Sequence, residues 1–408
     1  MRVVVNQLAT LGRKAGIGHY TGQLLRHLSS VAEPDEIHVF PTGWIRRACR
    51  SFARARPLLA PSDTHAPGSG MDDAPGNGRV RRAALDYLRR SGKAMVGSCF
   101  RSTCQSRKYD LYHEPNFIPF ACDRPTITTV HDLSVLLHPG WHPADRVRDF
   151  ERNFERALKQ TSHFLTVSDF SRQEMISKLG LSPDRVTRTY NGVRAGFRPL
   201  AESVYRPVLE ELGLPTRYFL CLGTIEPRKN VMTLLRAYCA LPPEIRQSCP
   251  LVLVGKWGWH AAEVAGFIGK ESRARGIIHI GYVRERHLAA VYNGARGLVY
   301  PSFYEGFGLP PLEMMACGGA VIASTAGALA ETLGSQAHLV DPQDLDAWRN
   351  ALARLAQDDD WWHELGQGAR LTARSFTWAR CATQTLGAYR AVLQGQVKLP
   401  ACPARLAG

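Results

Sequence analysis

Residues 297–324, GLVYPSFYEGFGLPPLEMMACGGAVIAS, restrict the fold more than any other stretch of the chain. Gly297 to Tyr300 read as a short buried parallel strand. A loop carrying Glu305, Gly306 and Gly308 follows. Pro310 and Pro311 then suit the first turn of a helix, where a missing N–H is no loss and φ is already set. The spacing predicts that this helix runs through Glu313 to about Ala316 and stops at Gly318-Gly319. A second apolar strand follows over Ala320 to Ala323. Strand, glycine loop, helix N-terminus and strand form a phosphate-binding layout, because unpaired N–H groups and the positive helix end meet an anion there. Glu305 and Glu313, eight residues apart, can both face one crevice ligand as acceptors for hydroxyls. Carboxylates beside an anion cradle point to a ligand with phosphates and a sugar or ribose.

The strand–loop–helix rhythm recurs along the chain. Residues 2–8 read as a first strand, followed by the loop LGRKAGIG and a helix over His19 to Ser30. That is the opening of a doubly wound sheet, with ligands outside the carboxyl ends of its strands. Gly16 and Gly18 do not form a GxGxxG fingerprint. Each serves either a phosphate approach or a tight turn needing positive φ. Further strands are expected over Glu36 to Phe40, Leu111 to Glu114, Thr126 to Val130, Phe164 to Val167 and Val186 to Tyr190. The fourth of these six ends at His131-Asp132, at the crevice mouth. The fifth closes on Ser168-Asp169-Phe170-Ser171-Arg172, where Ser168 or Asp169 caps a helix. A second unit restarts at Tyr218 to Gly223. Its loop carries Arg228 and Lys229 at a helix entrance, where a guanidinium fork and an ammonium point charge suit a diphosphate. Later strands are expected over Leu251 to Val254, Ile277 to Ile280 and His338 to Val340.

Composition narrows the partners. The chain has 408 residues with 51 Lys and Arg against 36 Asp and Glu, a net charge of +15, which favours an anionic partner. Residues 44–108 hold 14 Lys and Arg against 4 Asp, so most of the excess sits in one segment. Within it Pro57 to Gly78 reads as a mobile loop. Arg79 to Gly97 places Val80, Ala84, Tyr87, Leu88 and Met95 along one helical face and Arg82, Arg89 and Lys93 on another, a pattern shared by surface helices and membrane-surface elements. The ten cysteines show no paired metal-type spacing and read as reduced thiols of a cytosolic protein. No signal-peptide pattern opens the sequence, and no apolar run is long enough to span a bilayer. The basic charge also admits a polyanion or nucleic-acid binder, yet no aromatic-interleaved RNA motif or zinc spacing accompanies it.

Glu305-Gly-Phe-Gly-Leu-Pro-Pro-Leu-Glu313 resembles the E-x7-E signature of retaining GT-B glycosyltransferases of family 4. The glycine loop, HD, SDFSR, NGV at Asn191 to Val193, EPRKN and GYV at Gly281 to Val283 resemble the family's motifs in the same order. The resemblance implies an α/β GT-B fold, with two Rossmann-like domains whose parallel sheets face each other across a cleft. The expected division is an acceptor-side domain over 1–198 with a basic insertion at about 44–108, a nucleotide-sugar domain over 199–378, and a helix over 379–396 crossing back to the first. By the same resemblance Glu305 contacts sugar hydroxyls or supports charge at the anomeric carbon, and His131, with Asp132 beside it, orients the transferred sugar. Arg228 and Lys229 neutralise the departing diphosphate, with Gly16 and Gly18 approaching it. Some members carry an arginine where this chain has Thr224, and Arg172 is expected to complete the clamp instead. Glu313 holds the ribose. The backbone of Gly306, Phe307, Gly308 and Leu309 binds sugar and phosphate, and Gly281, Tyr282 and Val283 border the nucleobase.

The implied activity is metal-independent, retaining hexosyl transfer, with mannose from GDP-mannose as the leading donor and UDP- or dTDP-sugars as alternatives. The acceptor is expected to be a glycan or lipid-linked glycan of cell-surface polysaccharide, including lipopolysaccharide, biosynthesis. No cofactor beyond the nucleotide-sugar co-substrate, no metal and no specific nucleic acid are expected. The implied place is the cytoplasm, with the basic segment reaching an anionic inner membrane face. A non-catalytic sugar-nucleotide-binding scaffold of the same fold is the rival reading.

Overall fold

The computed structural model describes residues 1–12, 16–59 and 77–396, without the side chains of 52–59, 77–90, 93 and 271–274. The chain forms two parallel six-stranded sheets. The first contains β1 (Arg2–Asn6), β2 (Glu36–Phe40), β3 (Leu111–Glu114), β4 (Thr126–Val130), β5 (His163–Thr166) and β6 (Val186–Arg188) in the order β2-β1-β3-β4-β5-β6. The second contains β7 (Phe219–Leu222), β8 (Leu251–Val254), β9 (Ile277–Gly281), β10 (Gly297–Tyr300), β11 (Ala320–Ser324) and β12 (His338–Val340) in the order β12-β11-β10-β7-β8-β9. The two-domain α/β GT-B architecture expected from the motifs is present.

Local chemistry explains the central unit. Strands β10 and β11 are buried on both faces, and their parallel register pairs Gly297 with Ala320 and Tyr300 with Ala323. Between them the helix Leu309–Ala316 begins with its two prolines and ends at Gly318, whose φ of +82° turns the chain back toward the sheet. In each sheet the strand order reverses once, between β1 and β3 and between β7 and β10. A crevice opens at each reversal, because successive crossovers leave for opposite faces.

The helix Trp378–Leu393 packs across the helix Gly16–Val31 of the first sheet's layer. Tyr389 Oη lies 2.6 Å from His113 Nδ1, whose Nε2 lies 2.8 Å from Thr129 Oγ1. Arg390 pairs with Asp35 at 2.8 Å, and Asp35 also holds the ammonium of Met1. A Cβ on Gly192 would stand 2.1 Å from the amide nitrogen of Trp378, so the chain crosses there at backbone contact.

Several expectations need correction. Gly16 and Gly18 lie in the first turn of the helix Gly16–Val31, not in a positive-φ turn. Residues 13–15 of the expected glycine loop lie outside the described residues. The expected mobile loop at Pro57 to Gly78 is partly helical, since helices run over Gly43–Leu59 and Asn77–Arg107, while 60–76 lie outside the described residues. So do the side chains of Val80, Arg82, Ala84, Tyr87, Leu88, Arg89 and Lys93. Met95, from the same expected apolar face, is exposed. Helices over Ala262–Arg275 and Asp359–Arg374 were not foreseen.

Candidate active site

The second sheet's reversal brings two loops together. The loop after β7 carries Arg228 and Lys229, and the loop after the neighbouring β10 carries Glu305. Glu305 is buried, with one oxygen 2.5 Å from Lys229 Nζ and the other 2.9 Å from Arg228 Nη1. Burial would push its carboxyl up, but the two cations outweigh burial and hold it at about 2. Burial and the neighbouring Arg228 charge draw Lys229 below the ordinary lysine value, and Glu305 opposes that fall. Lys229 also donates to Tyr300 Oη at 2.5 Å, and Arg228 donates to the Tyr304 carbonyl and to Glu226. Two cations, two carboxylates and a phenol therefore form a bonded, desolvated set.

Across the cleft this set meets His131 and Asp132. A Cβ on Gly306 would lie 2.1 Å from the His131 carbonyl oxygen and 3.0 Å from Asp132 Cβ, so only glycine allows this approach. His131 Nε2 donates to the Pro115 carbonyl at 2.9 Å, which leaves Nδ1 as the acceptor of a neutral ring. Burial lowers its pKa, and the edge of Tyr20 lies against it with centroids 4.7 Å apart. Asp132 accepts the Ser134 N–H at 2.9 Å. The loop continues with Gly308 at φ +90°, the N-cap of the helix that carries Glu313. Phe307 is buried between Tyr190 and Phe376, and its carbonyl accepts from Thr332.

Glu313 has a separate set of partners. Its Oε1 accepts from Arg194 at 2.7 Å and its Oε2 from Tyr292 at 3.0 Å. Burial raises its carboxyl, with Arg194 working against that rise. Arg194 also reaches Glu285 at 2.5 Å, and Glu285 lies 3.8 Å from His19 Nδ1 in the first helix. Gly281 has φ +66°, Tyr282 is 52% exposed beneath the Lys256 ammonium, and Val283 is buried. The structure thus unites Glu305, Arg228, Lys229 and Gly306 with His131 and Asp132. Glu313 is held by other groups further along the same loop and helix.

Arg172 does not reach this set. Its guanidinium donates to the carbonyls of Val186 and Pro183, at 2.8 and 3.0 Å, at the amino end of β6. The helix Asp169–Leu179 starts at the cleft, but this side chain points back along it, so the clamp is not completed from there. Ser168 is the cap, accepting from Ser171. Sequence reasoning missed Arg194, Tyr292, Tyr300 and Tyr304. Tyr304 donates to Glu174 and accepts from the Leu133 amide, a further bridge across the cleft. The position of Arg194 directly after Asn191-Gly192-Val193, where the chain leaves the first sheet, was the available signal. Among the described residues no three His, Cys, Asp or Glu side chains gather as a metal set.

Residues 15–196 match the model described as Glycosyltransferase Family 4, and residues 216–358 match that described as Glycosyl transferases group 1. The "O-antigen chain mannosyltransferase B" of Escherichia coli is 35% identical over 384 residues, spanning 92% of this chain and 96% of that protein. The chain belongs to glycosyltransferase family 4. Solved structures of low identity share the fold. A sucrose-phosphate synthase from Thermosynechococcus elongatus superposes with a TM-score of 0.68 at 20% identity, covering 97% of this chain and all of that one. Anabaena Alr3699/HepE, solved with UDP-glucose, also reaches a TM-score of 0.68, at 16% identity over 96% of this chain and all of the other. As a family 4 glycosyltransferase, this chain carries its Glu305 and Glu313 within the 216–358 match and His131 within the 15–196 match.

Proposed function

We propose that the protein is a retaining, metal-independent mannosyltransferase using GDP-mannose, acting on a glycan or lipid-linked acceptor in O-antigen or related cell-surface polysaccharide assembly. The observation carrying the reading is the closure of the Glu305, Arg228 and Lys229 set on His131 and Asp132 at backbone contact. The name of the 35% identical relative supports the sugar and the pathway class. Arg228 and Lys229 would take up the negative charge that develops on the departing diphosphate, at fixed positions and without reorganisation. Glu305, charged at all physiological pH, would meet the sugar hydroxyls or the cationic character of the anomeric carbon. His131 would accept a sugar hydroxyl through Nδ1. Glu313, steadied by Arg194, would hold the ribose.

In this reading the bond from the anomeric carbon to the diphosphate oxygen breaks as the acceptor oxygen bonds to the same face. The acceptor proton passes to the departing phosphate. Expected localisation is the cytoplasm, with the exposed Arg46, Arg47, Arg50, Arg101 and Arg107 near an anionic membrane surface.

A thermal-shift series with GDP, UDP, dTDP and ADP tests the donor, since stabilisation follows ligand concentration over Kd. GDP should raise the midpoint most. The HepE complex makes UDP the rival, and a larger shift with UDP would overturn the GDP assignment. The anomeric configuration of the product, read by proton NMR, tests retention.

A further inference from the structure

Tyr304 belongs to the second sheet by chain position, in the loop after β10, yet its side chain is buried against the first sheet's side of the cleft. It is 4% exposed, and the rings of His138 and Phe170 stand edge-on to it at centroid distances of 5.4 and 5.6 Å. The phenol donates to Glu174 in the helix Asp169–Leu179 and accepts from the Leu133 amide at 3.1 Å. The main chain at the same place faces the other way. The Tyr304 carbonyl accepts from Arg228 Nη1 at 2.8 Å, and the Phe303 amide donates to the Arg228 carbonyl at 2.8 Å. We propose that Tyr304 is a positioning residue for transfer: through its phenol, the first side of the cleft fixes the Arg228 guanidinium where negative charge develops on the departing diphosphate. The proposal rests on the glycosyl-transfer reading above.

The ion partners of Arg228 do not supply this link. Glu305 and Glu226, each at 2.9 Å, both sit on the second side, so they balance the guanidinium charge whether the cleft is open or shut. Tyr304 adds what they lack, a hydrogen-bonded path to the first side. That path is short: Leu133 follows His131 and Asp132 directly in the chain. Residues 303 and 304 hold Arg228 at both its main-chain and side-chain ends, so a shift of their loop carries the guanidinium and the adjoining Glu305 with it.

The phenol is built to stay a donor. Burial first, then the Asp132 charge, pushes it well above the ordinary tyrosine value, so it remains protonated toward Glu174. Burial also raises the Glu174 carboxyl, and the bond from Tyr304 opposes that rise. A phenylalanine at 304 would keep the packing of the ring and lose both bonds. Charge on a leaving group is stabilised by dipoles and cations already in place, so a displaced guanidinium costs rate more than ground-state binding.

The test is the rate of GDP release from GDP-mannose with water as acceptor, on the full chain, beside GDP affinity by calorimetry. UDP-glucose and UDP replace them should UDP give the larger thermal shift. Tyr304→Phe and Glu174→Ala should each lower kcat at least about ten-fold while nucleotide affinity stays within about three-fold. Glu174→Gln, which keeps an acceptor for the phenol, should recover most of the rate. The double variant Tyr304→Phe/Glu174→Ala should be no slower than the worse single, because both cut one link. Crystal structures of the wild type and Glu174→Ala with the same nucleotide give a readout independent of turnover. In the variant the Arg228 guanidinium should stand about 1 Å or more further from the terminal phosphate, a displacement large enough to slow transfer. Unchanged kcat, losses that multiply in the double variant, no recovery with Glu174→Gln, or an unmoved guanidinium would overturn the proposal. A wild-type chain that binds neither GDP nor UDP would instead sink the glycosyl-transfer reading itself.

Discussion

Glu331, on the second sheet's side of the cleft, accepts the backbone N–H groups of Asp169 and Phe170 on the first side, at 2.7 and 2.8 Å. A helix N-terminus leaves its first N–H groups without intrahelical partners and favours negative charge. The helix Asp169–Leu179 meets that need partly with its own Ser168 and partly with this carboxylate from across the cleft. Closure of the two halves is thereby linked to satisfaction of a helix end.

Glu331→Ala should destabilise the closed arrangement by about 1–2 kcal/mol, the usual size of a charged cap, which shifts the open–closed balance roughly 5- to 30-fold. The measurement is small-angle scattering with saturating nucleotide. The radius of gyration should rise in the variant, and kcat/KM should fall by a similar factor. An unchanged radius would mean the contact is incidental.

Gly306→Ala separates binding from transfer. The added methyl would meet the His131 carbonyl, so the two halves cannot reach the same separation. Because Arg228, Lys229 and Glu313 all lie on the second side, nucleotide affinity should stay within a factor of about three. Transfer should fall at least about 100-fold, since small misplacements of reacting groups cost that much.

Buried ion sets punish single deletions more than paired ones. Lys229→Met or Glu305→Gln alone leaves unbalanced charge in a desolvated site, at a cost of about 3–5 kcal/mol. The pair Lys229→Met/Glu305→Gln removes one charge of each sign and should regain most of that loss in chemical denaturation. Transfer should remain at least about 100-fold down in all three. Recovery of turnover in the pair would reduce these residues to structural roles.

Acid should weaken the fold in two stages. Burial depresses His113 to about 3 and His142 and His163 to about 4, so these rings are neutral when folded. The unfolded chain protonates them below about pH 6.5, so it binds more protons and stability falls as pH drops from there toward 4. Glu305 follows, since its value of about 2 lies below the unfolded value of 4.5, and its contribution is lost as pH falls through that window. Denaturant midpoints between pH 8 and 4 check the first stage. His163→Asn should flatten the slope between pH 6.5 and 4.

Much of this was legible in the chain, and the failures have separate causes. Apolar runs such as Leu251 to Val254 and Gly297 to Tyr300 became strands at those bounds, because burial on both faces leaves few alternatives for four consecutive apolar residues. The resemblance assigned Lys229 and Glu305 to one site, and the strand order, which sets β7 beside β10, is what brings their two loops together. Arg172 could not be placed, since sequence locates its helix but not the direction of a long side chain that finds carbonyls behind it. Arg194, Tyr304 and Glu331 act across the cleft, and no local pattern encodes which residues face each other there. The helix Asp359–Arg374 buries Trp361, Leu365, Ala369 and Ala373 at regular four-residue spacing, so its pattern was legible although Gly366 and Gly368 lower its intrinsic helix propensity.

The bond between His113 and Tyr389 joins residues 276 positions apart. A ribosome therefore releases every strand of the first sheet long before it makes the helix that covers it. Through that interval the nascent half offers an uncovered apolar groove along Gly16–Val31. A chain cut short of Trp378 should be handled by chaperones and proteases as an unfinished product, not retained as a smaller enzyme.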